Sequence, residues 1–196
     1  MNYCKIKIFV RMEIKTQEIS LPILKAKGIK LFIKRTDQTH QYISGNKWYK
    51  LKYNLLEAKK QGYQTLLTFG GAYSNHIAAT ASAAKESGLK SVGVIKGEEH
   101  LPLNPTLQFA NEQGMHIHYV SRSDYRLKTT TEFINKLKSK FDDFYLVPEG
   151  GTNQLAIKGT EEILDVSSTQ DFVCCAVGTG GTIAGIINST LSLIHI

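Results

Sequence analysis

Two lysines in "SGNKWYKL", Lys47 and Lys50, stand one helical turn apart at a place where lysine is unfavourable. Leu51, Leu55 and Ala58 form an apolar stripe at helical spacing, and Asn46 is a good N-cap, so a helix is expected to begin near Lys47. The positive end of a helix dipole repels an ammonium group by roughly 0.3–1 kcal/mol. Neighbouring positive groups add to that repulsion. Both effects favour the neutral amine over that of a free lysine, whose pKa is about 10.4, and a neutral amine can attack a carbonyl carbon.

Three glycine-rich junctions could serve the same ligand. "VGTGGTIAG" follows an apolar run and opens a helix, so Gly178, Thr179, Gly180, Gly181 and Thr182 offer backbone N–H groups and two hydroxyls to an anion such as phosphate. Close backbone approach to a phosphate is expected to leave no room for a β-carbon at Gly180. The spacing matches neither common nucleotide fingerprint: Ile183 stands where G-x-G-x-x-G needs its last glycine, and no lysine follows as G-x-x-x-x-G-K-[ST] requires. A dinucleotide oxidoreductase is thereby disfavoured. In "TFGGAYSNHIAA", Gly70 and Gly71 are expected to let the backbone turn before Ser74 and Asn75 arrive at a helix mouth, as caps or as ligand contacts. "VPEGGTN", with Gly150 and Gly151, reads as plain turn chemistry. A phosphate loop, a reactive lysine and a Ser-Asn pair together suggest a phosphorylated carbonyl compound held as a lysine imine.

The elements that must bring these loops together follow from periodicity. Strands are expected at "IKLFIKR", "YQTLLTF", "SVGVIKG", "MHIHYV", "FYLVP" and the continuous apolar "FVCCAV". Between them, helices are expected from Asn46, over "SNHIAATASAAKES", "TLQFANEQG" and "KTTTEFINKLKSK", from Asn153 to Leu164, and from about Thr182. Such alternation predicts an α/β fold with a mainly parallel sheet and helices on both faces, whose ligands sit beyond the carboxyl ends of the strands.

Composition narrows the function. The 196 residues carry a formal net charge of +7, but lysine and arginine are mixed with acids except from Lys47 to Lys60 and from Arg126 to Lys140, so no nucleic-acid partner is expected. Lys5, Lys7 and Arg11 interrupt the opening apolar stretch, which therefore predicts neither signal peptide nor membrane span. Residues before Met12 read as a misassigned start. Three cysteines, two of them adjacent at Cys174 and Cys175, have no metal-ligand spacing and read as core residues in a reducing, cytoplasmic compartment.

"SGNKWYKL", "FGGAYSNHIAATA", "PEGGTN" and "VGTGGTIAG", in this order, resemble the 1-aminocyclopropane-1-carboxylate deaminase/D-cysteine desulfhydrase family of fold type II pyridoxal-phosphate enzymes. The resemblance runs from about residue 17 to residue 188. It implies that Lys47 binds pyridoxal 5'-phosphate covalently and is catalytic, and that Lys50 lies near the cofactor phosphate. Ser74 would stand beside the substrate carboxylate and reacting centre, Asn75 would hydrogen-bond the cofactor's ring hydroxyl, and Gly178 to Thr182 would hold the phosphate. No metal is implied. This sequence departs from the pattern at Tyr49, where many members carry Arg, and at "KRTD", where they often read K-R-E-D.

The resemblance also implies a two-domain fold, with a large cofactor domain from residues 1–50 and 150–196 and a smaller α/β domain inserted over 51–149. Its implied activity is that of a deaminase or lyase releasing ammonia and a 2-oxo acid from a small amino acid, either 1-aminocyclopropane-1-carboxylate or D-cysteine. The full-length protein is expected to be a homodimer. Family members run about half as long again, so the large domain is expected to be incomplete here and the chain alone a weak or inactive catalyst. The closing "LSLIHI" is expected to be a sequencing-adapter scar.

Overall fold

A computed structural model describes residues 13–164 and 170–191, leaving Cys4, the start at Met12 and nearly all of the closing "LSLIHI" outside the described residues. Four strands form one parallel sheet: β3 (Thr65–Gly70), β4 (Lys90–Lys96), β5 (Met115–Val120) and β6 (Tyr145–Val147). They lie in the order β5-β4-β3-β6, with Leu67 opposite both Val92 and Leu146. A separate antiparallel pair precedes them, β1 (Thr16–Ile19) and β2 (Leu31–Lys34), joined through α1 (Pro22–Ala26). Only β2 of that pair is legible as a strand in the sequence. β1 is four residues long with three of them exposed, too little for a two-residue period to show.

The sheet is covered on both faces, which explains why its central strands read as almost unbroken apolar runs. Leu67, Phe69, Val92 and Val94 face Phe133 and Leu137 of α6 (Thr131–Phe141), with Tyr125 of the short α5 (Arg122–Arg126). On the other face Leu66 and Val147 meet Ala79, Ala83 and Ala84 of α3 (Asn75–Glu86) and Leu51 and Leu55 of α2 (Asn46–Lys60). Ile95 and Met115 pack there against Leu107 and Ala110 of α4 (Pro105–Glu112). Two further helices, α7 (Gln154–Thr160) and α8 (Gly181–Leu191), complete the described chain.

Three expectations need correction. Asn46 does not cap α2: Gly45, at φ 65°, precedes the helix with no side-chain cap, and the Asn46 amide instead donates to Thr182 Oγ1 at 2.9 Å. The helix expected to Leu164 ends at Thr160 and tightens into a 3₁₀ turn over Glu161–Ile163. "FVCCAV" is irregular rather than a strand, with Phe172 88% exposed and Cys174 on the surface. An apolar run becomes a strand only where a neighbour completes its ladder, and no described strand runs beside it.

The helices that carry the site pack closely. Asn153 caps α7 by accepting from Ala156 N at 2.9 Å and donates its amide to Asn54 Oδ1 of α2 at 2.7 Å. At Gly159 an added β-carbon would lie 2.0 Å from the Tyr49 carbonyl oxygen, so α2 and α7 touch backbone to backbone there. Gly159→Ala should therefore lower stability by about 1–3 kcal/mol in chemical denaturation. Gly71→Ala, where the added carbon meets nothing within 4 Å and φ is not positive, should stay within about 0.5 kcal/mol.

Candidate functional site

Parallel pairing of β3 with β6 sets their carboxyl ends side by side. The chain leaves β3 toward β4 on one side and returns from β5 to β6 on the other, so a crevice opens between these two ends, where ligands of open α/β sheets bind. The β3 exit leads through Gly70 to Ser74 and α3. The β6 exit leads through Pro148 to a tight turn at Gly150 and Gly151, both at positive φ, and on to α7.

Lys47 and Lys50 project from the first turn of α2 onto the Gly150 carbonyl, which accepts from both ammonium nitrogens at 3.1 Å. Lys50, only 2% exposed, also donates to Thr152 Oγ1 at 2.9 Å and Thr179 Oγ1 at 3.3 Å, and those two hydroxyls hydrogen-bond each other. Neither lysine has a carboxylate partner among the described residues. Burial, then the charge of Lys50, pushes the Lys47 amine down to about 8. Burial also lowers that of Lys50. The two lysines thus depart from ordinary behaviour for a reason the helix-dipole argument only partly contained: desolvation is the larger effect, and it comes from the tertiary fold.

The glycine-threonine loop forms the facing wall. Asn46, Lys47, Lys50 and Gly150 with residues 176–180, Thr182 and Ile183 line a cleft of about 180 Å³. Gly181 lies behind the lining, where an added β-carbon would meet Thr152 Oγ1 at 3.0 Å and Lys50 Nζ at 3.1 Å. Gly180 sits at φ +83° with open space around it, so on the protein side it is backbone conformation, not crowding, that requires glycine. Among the described residues no carboxylate lines the cleft. Two lysines, two threonine hydroxyls and the N-terminus of α8 suit an anionic phosphate, and the weakly basic Lys47 amine suits a carbonyl carbon, so these residues fit pyridoxal phosphate.

Ser74 and Asn75 stand apart from this lining. Ser74 caps α3, its Oγ accepting from Ile77 N at 3.4 Å, and Asn75 is exposed. Gly70 proves to be a packing glycine and not a turn glycine: its φ is not positive, and a β-carbon would fall 2.5 Å from Ile77 Cγ1. Sequence reasoning passed over Gly150, Thr152 and His76. The turn read as plain chain reversal supplies the carbonyl that holds both lysines. His76, 2% exposed, lies against Gly151, and its only sequence signal was its place directly after the Ser-Asn pair. The two departures in the amino-terminal motifs are locally satisfied: Tyr49 is buried, and Arg35 still pairs with Asp37 at 2.7 Å across Thr36.

The profile of the family described as "Pyridoxal-phosphate dependent enzyme" matches residues 11–192, and the chain belongs to that family. A Thermotoga maritima protein provisionally named 1-aminocyclopropane-1-carboxylate deaminase is 38% identical, aligned over 81% of this chain and 53% of its own length. A mitochondrial protein of Arabidopsis thaliana, named bifunctional D-cysteine desulfhydrase/1-aminocyclopropane-1-carboxylate deaminase, is 34% identical over 81% of this chain and 44% of its own. A crystal structure of an ACC deaminase homologue superposes with a TM-score of 0.77 at 29% identity, covering 94% of this chain and 58% of that one. The resemblance seen in the four motifs and the fold type II architecture are thereby confirmed, and the cofactor of the family is pyridoxal phosphate. The chain spans about half the length of the curated relatives it matches. Among the described residues no helix is long and apolar enough to cross a membrane.

Buried lysines cost stability where they are charged. The Lys47 amine titrates near 8 when folded and near 10.5 when free, so the folded chain carries the full penalty below pH 8 and none above about pH 10.5. Lys47→Met should therefore stabilise the cofactor-free chain at pH 7 by roughly 1–3 kcal/mol, discounted for partial exposure, with the gain fading between those two pH values. Urea titrations at pH 7 and pH 10.5 measure it, and an equal effect at both would refute the desolvation account.

Proposed function

We propose that Lys47 is the residue that holds pyridoxal phosphate, and that the whole protein is a deaminase or lyase releasing ammonia and a 2-oxo acid from a small amino acid. The reading follows the name of the 1-aminocyclopropane-1-carboxylate deaminase relatives. It rests on one observation: a half-buried amine of lowered basicity meets a second lysine and a glycine-threonine loop in a cleft that no carboxylate of the described residues lines. Bound cofactor supplies an electron sink for bonds at the substrate's α-carbon. Lys47, with its amine poised near 8, takes and returns protons at the substrate carbons. Lys50 and residues Gly178, Thr179, Gly180, Gly181 and Thr182 hold the phosphate. Ser74 is assigned to the substrate carboxylate and Asn75 to the cofactor's ring hydroxyl. In support, His76, on the same first turn of α3, abuts the Gly150–Gly151 turn whose carbonyl accepts from both lysines.

A second reading, release of sulfide, pyruvate and ammonia from D-cysteine, is favoured by the Arabidopsis relative whose name carries both activities. The proposed division into a cofactor domain (1–50 and 150–196) and an inserted domain (51–149) is supported by the parallel sheet, all of whose strands fall within the inserted segment. The homodimer and the cytoplasmic location are proposed with it. Free Cys174 and Cys175 are compatible with a reducing compartment.

Borohydride reduction of the full-length protein in pyridoxal phosphate should fix the cofactor to Lys47 and leave Lys50 unmodified, as read by peptide mapping. Ammonia release should then be assayed with both amino acids. Sulfide from D-cysteine without ammonia from 1-aminocyclopropane-1-carboxylate would select the second reading. Label on Lys50 or elsewhere would overturn the assignment of Lys47.

A further inference from the structure

We infer that His76 is a positioning residue for Lys47: its neutral imidazole, fixed as the Nε2-protonated tautomer by Thr68, underlies Gly151 and so holds the Gly150 carbonyl against both lysines. The inference rests on the proposed role of Lys47 and extends it to a residue outside the lining of the cleft.

The tautomer follows from hydrogen counting. Thr68 Oγ1 lies 2.8 Å from the Val147 carbonyl oxygen, which can only accept, so the single hydroxyl hydrogen of Thr68 is spent there. His76 Nε2 lies 2.8 Å from the same Oγ1 and must donate to it. The proton is therefore on Nε2, and Nδ1 presents a bare lone pair. That atom is buried without a partner of ordinary hydrogen-bond geometry, while a backbone hydrogen bond to the Pro148 carbonyl favours the protonated ring. Thr68 lies on β3 and Val147 on β6, so the relay ties the ring to the two strands whose ends form the crevice.

The ring is wedged against the turn. A β-carbon built on Gly151 would meet His76 Cε1 at 3.0 Å and Nδ1 at 3.4 Å, while Gly151 N donates to Pro148 O at 2.8 Å. Any side chain at position 151 would thus crowd the ring. The charged groups acting on the ring are Lys47 and Lys50 of α2, with the Pro148 carbonyl acting the other way; burial first, and then the two lysines, holds the imidazole down to about 3. A charged ring would set a third cation beside two lysines sharing one carbonyl.

If the turn loosens, water enters and the two ammonium groups separate. Both changes favour the charged form of Lys47 and raise its pKa toward that of a free lysine. The test is the pH dependence of covalent cofactor capture by full-length protein, followed by absorbance and trapped with borohydride. Thr68→Val and His76→Leu should each raise the capture midpoint by at least half a pH unit, and His76→Gln, whose amide can still donate to Thr68, should return it toward the parent value. A folded Leu or Val variant with the parent midpoint would overturn the inference. Should both variants fail to fold, ¹⁵N NMR of the parent decides: the ring must stay neutral with its proton on Nε2 at pH 6, and a charged ring or an Nδ1-protonated one refutes it. Failure of the parent to label Lys47 would refute the proposed function instead.

Discussion

One backbone carbonyl, that of Gly150, accepts from two lysine side chains, and much of the site is arranged around that shared contact. Each ammonium nitrogen is 3.1 Å from the same oxygen, so the two lie within twice that distance of one another with no acid of the described residues between them. A carbonyl dipole compensates a cation less than a carboxylate does. The fold thus retains unneutralised positive charge in the cleft, at a cost in stability that an anionic ligand would relieve. Such a trade is expected of a binding site and not of a core.

Holding that arrangement requires rigid support on both sides. α2 presents the lysines, and its direction is set by backbone contact with α7 at Gly159 and by the Asn54–Asn153 amide pair. Glu149, the residue before Gly150, is held by the Tyr125 hydroxyl at 2.9 Å and by Lys128 at 3.3 Å. The Tyr125 ring lies near the ammonium groups of Lys96 and Lys128, and its hydroxyl proton is retained well above the usual range by burial and by the Glu149 carboxylate. The turn is therefore clamped from α5 as well as from α3, so that the helices on both faces of the sheet converge on two glycines.

The same geometry separates elements that resemble one another in sequence. The three glycine-rich junctions look alike, yet Gly70 permits close packing of α3, Gly150 and Gly151 make a left-handed turn, and Gly180 shapes an open loop. Paired glycines suggest that a side chain is unwelcome in the pair without saying at which position, or whether crowding or dihedral angle is the cause. Only the neighbours of each position decide that.

The sequence by itself determined most of the secondary structure and the chemistry. Apolar strands bounded by glycine, amphipathic helices with Ser74 and Asn153 as caps, and the lysine that follows Gly-Asn are local patterns, and local patterns survive as written when propensity and burial agree. Tertiary structure decided what depends on partners distant in the chain. The apolar "FVCCAV" lacks a ladder neighbour among the described residues and stays irregular, Asn46 leaves its cap to bond Thr182, and the basicity of Lys47 is set chiefly by burial, beside a Gly150 carbonyl 103 positions away. Periodicity records which side of an element is buried, but not what buries it. That is why Gly150 and His76, whose roles consist wholly of their neighbours, could be found only in the fold.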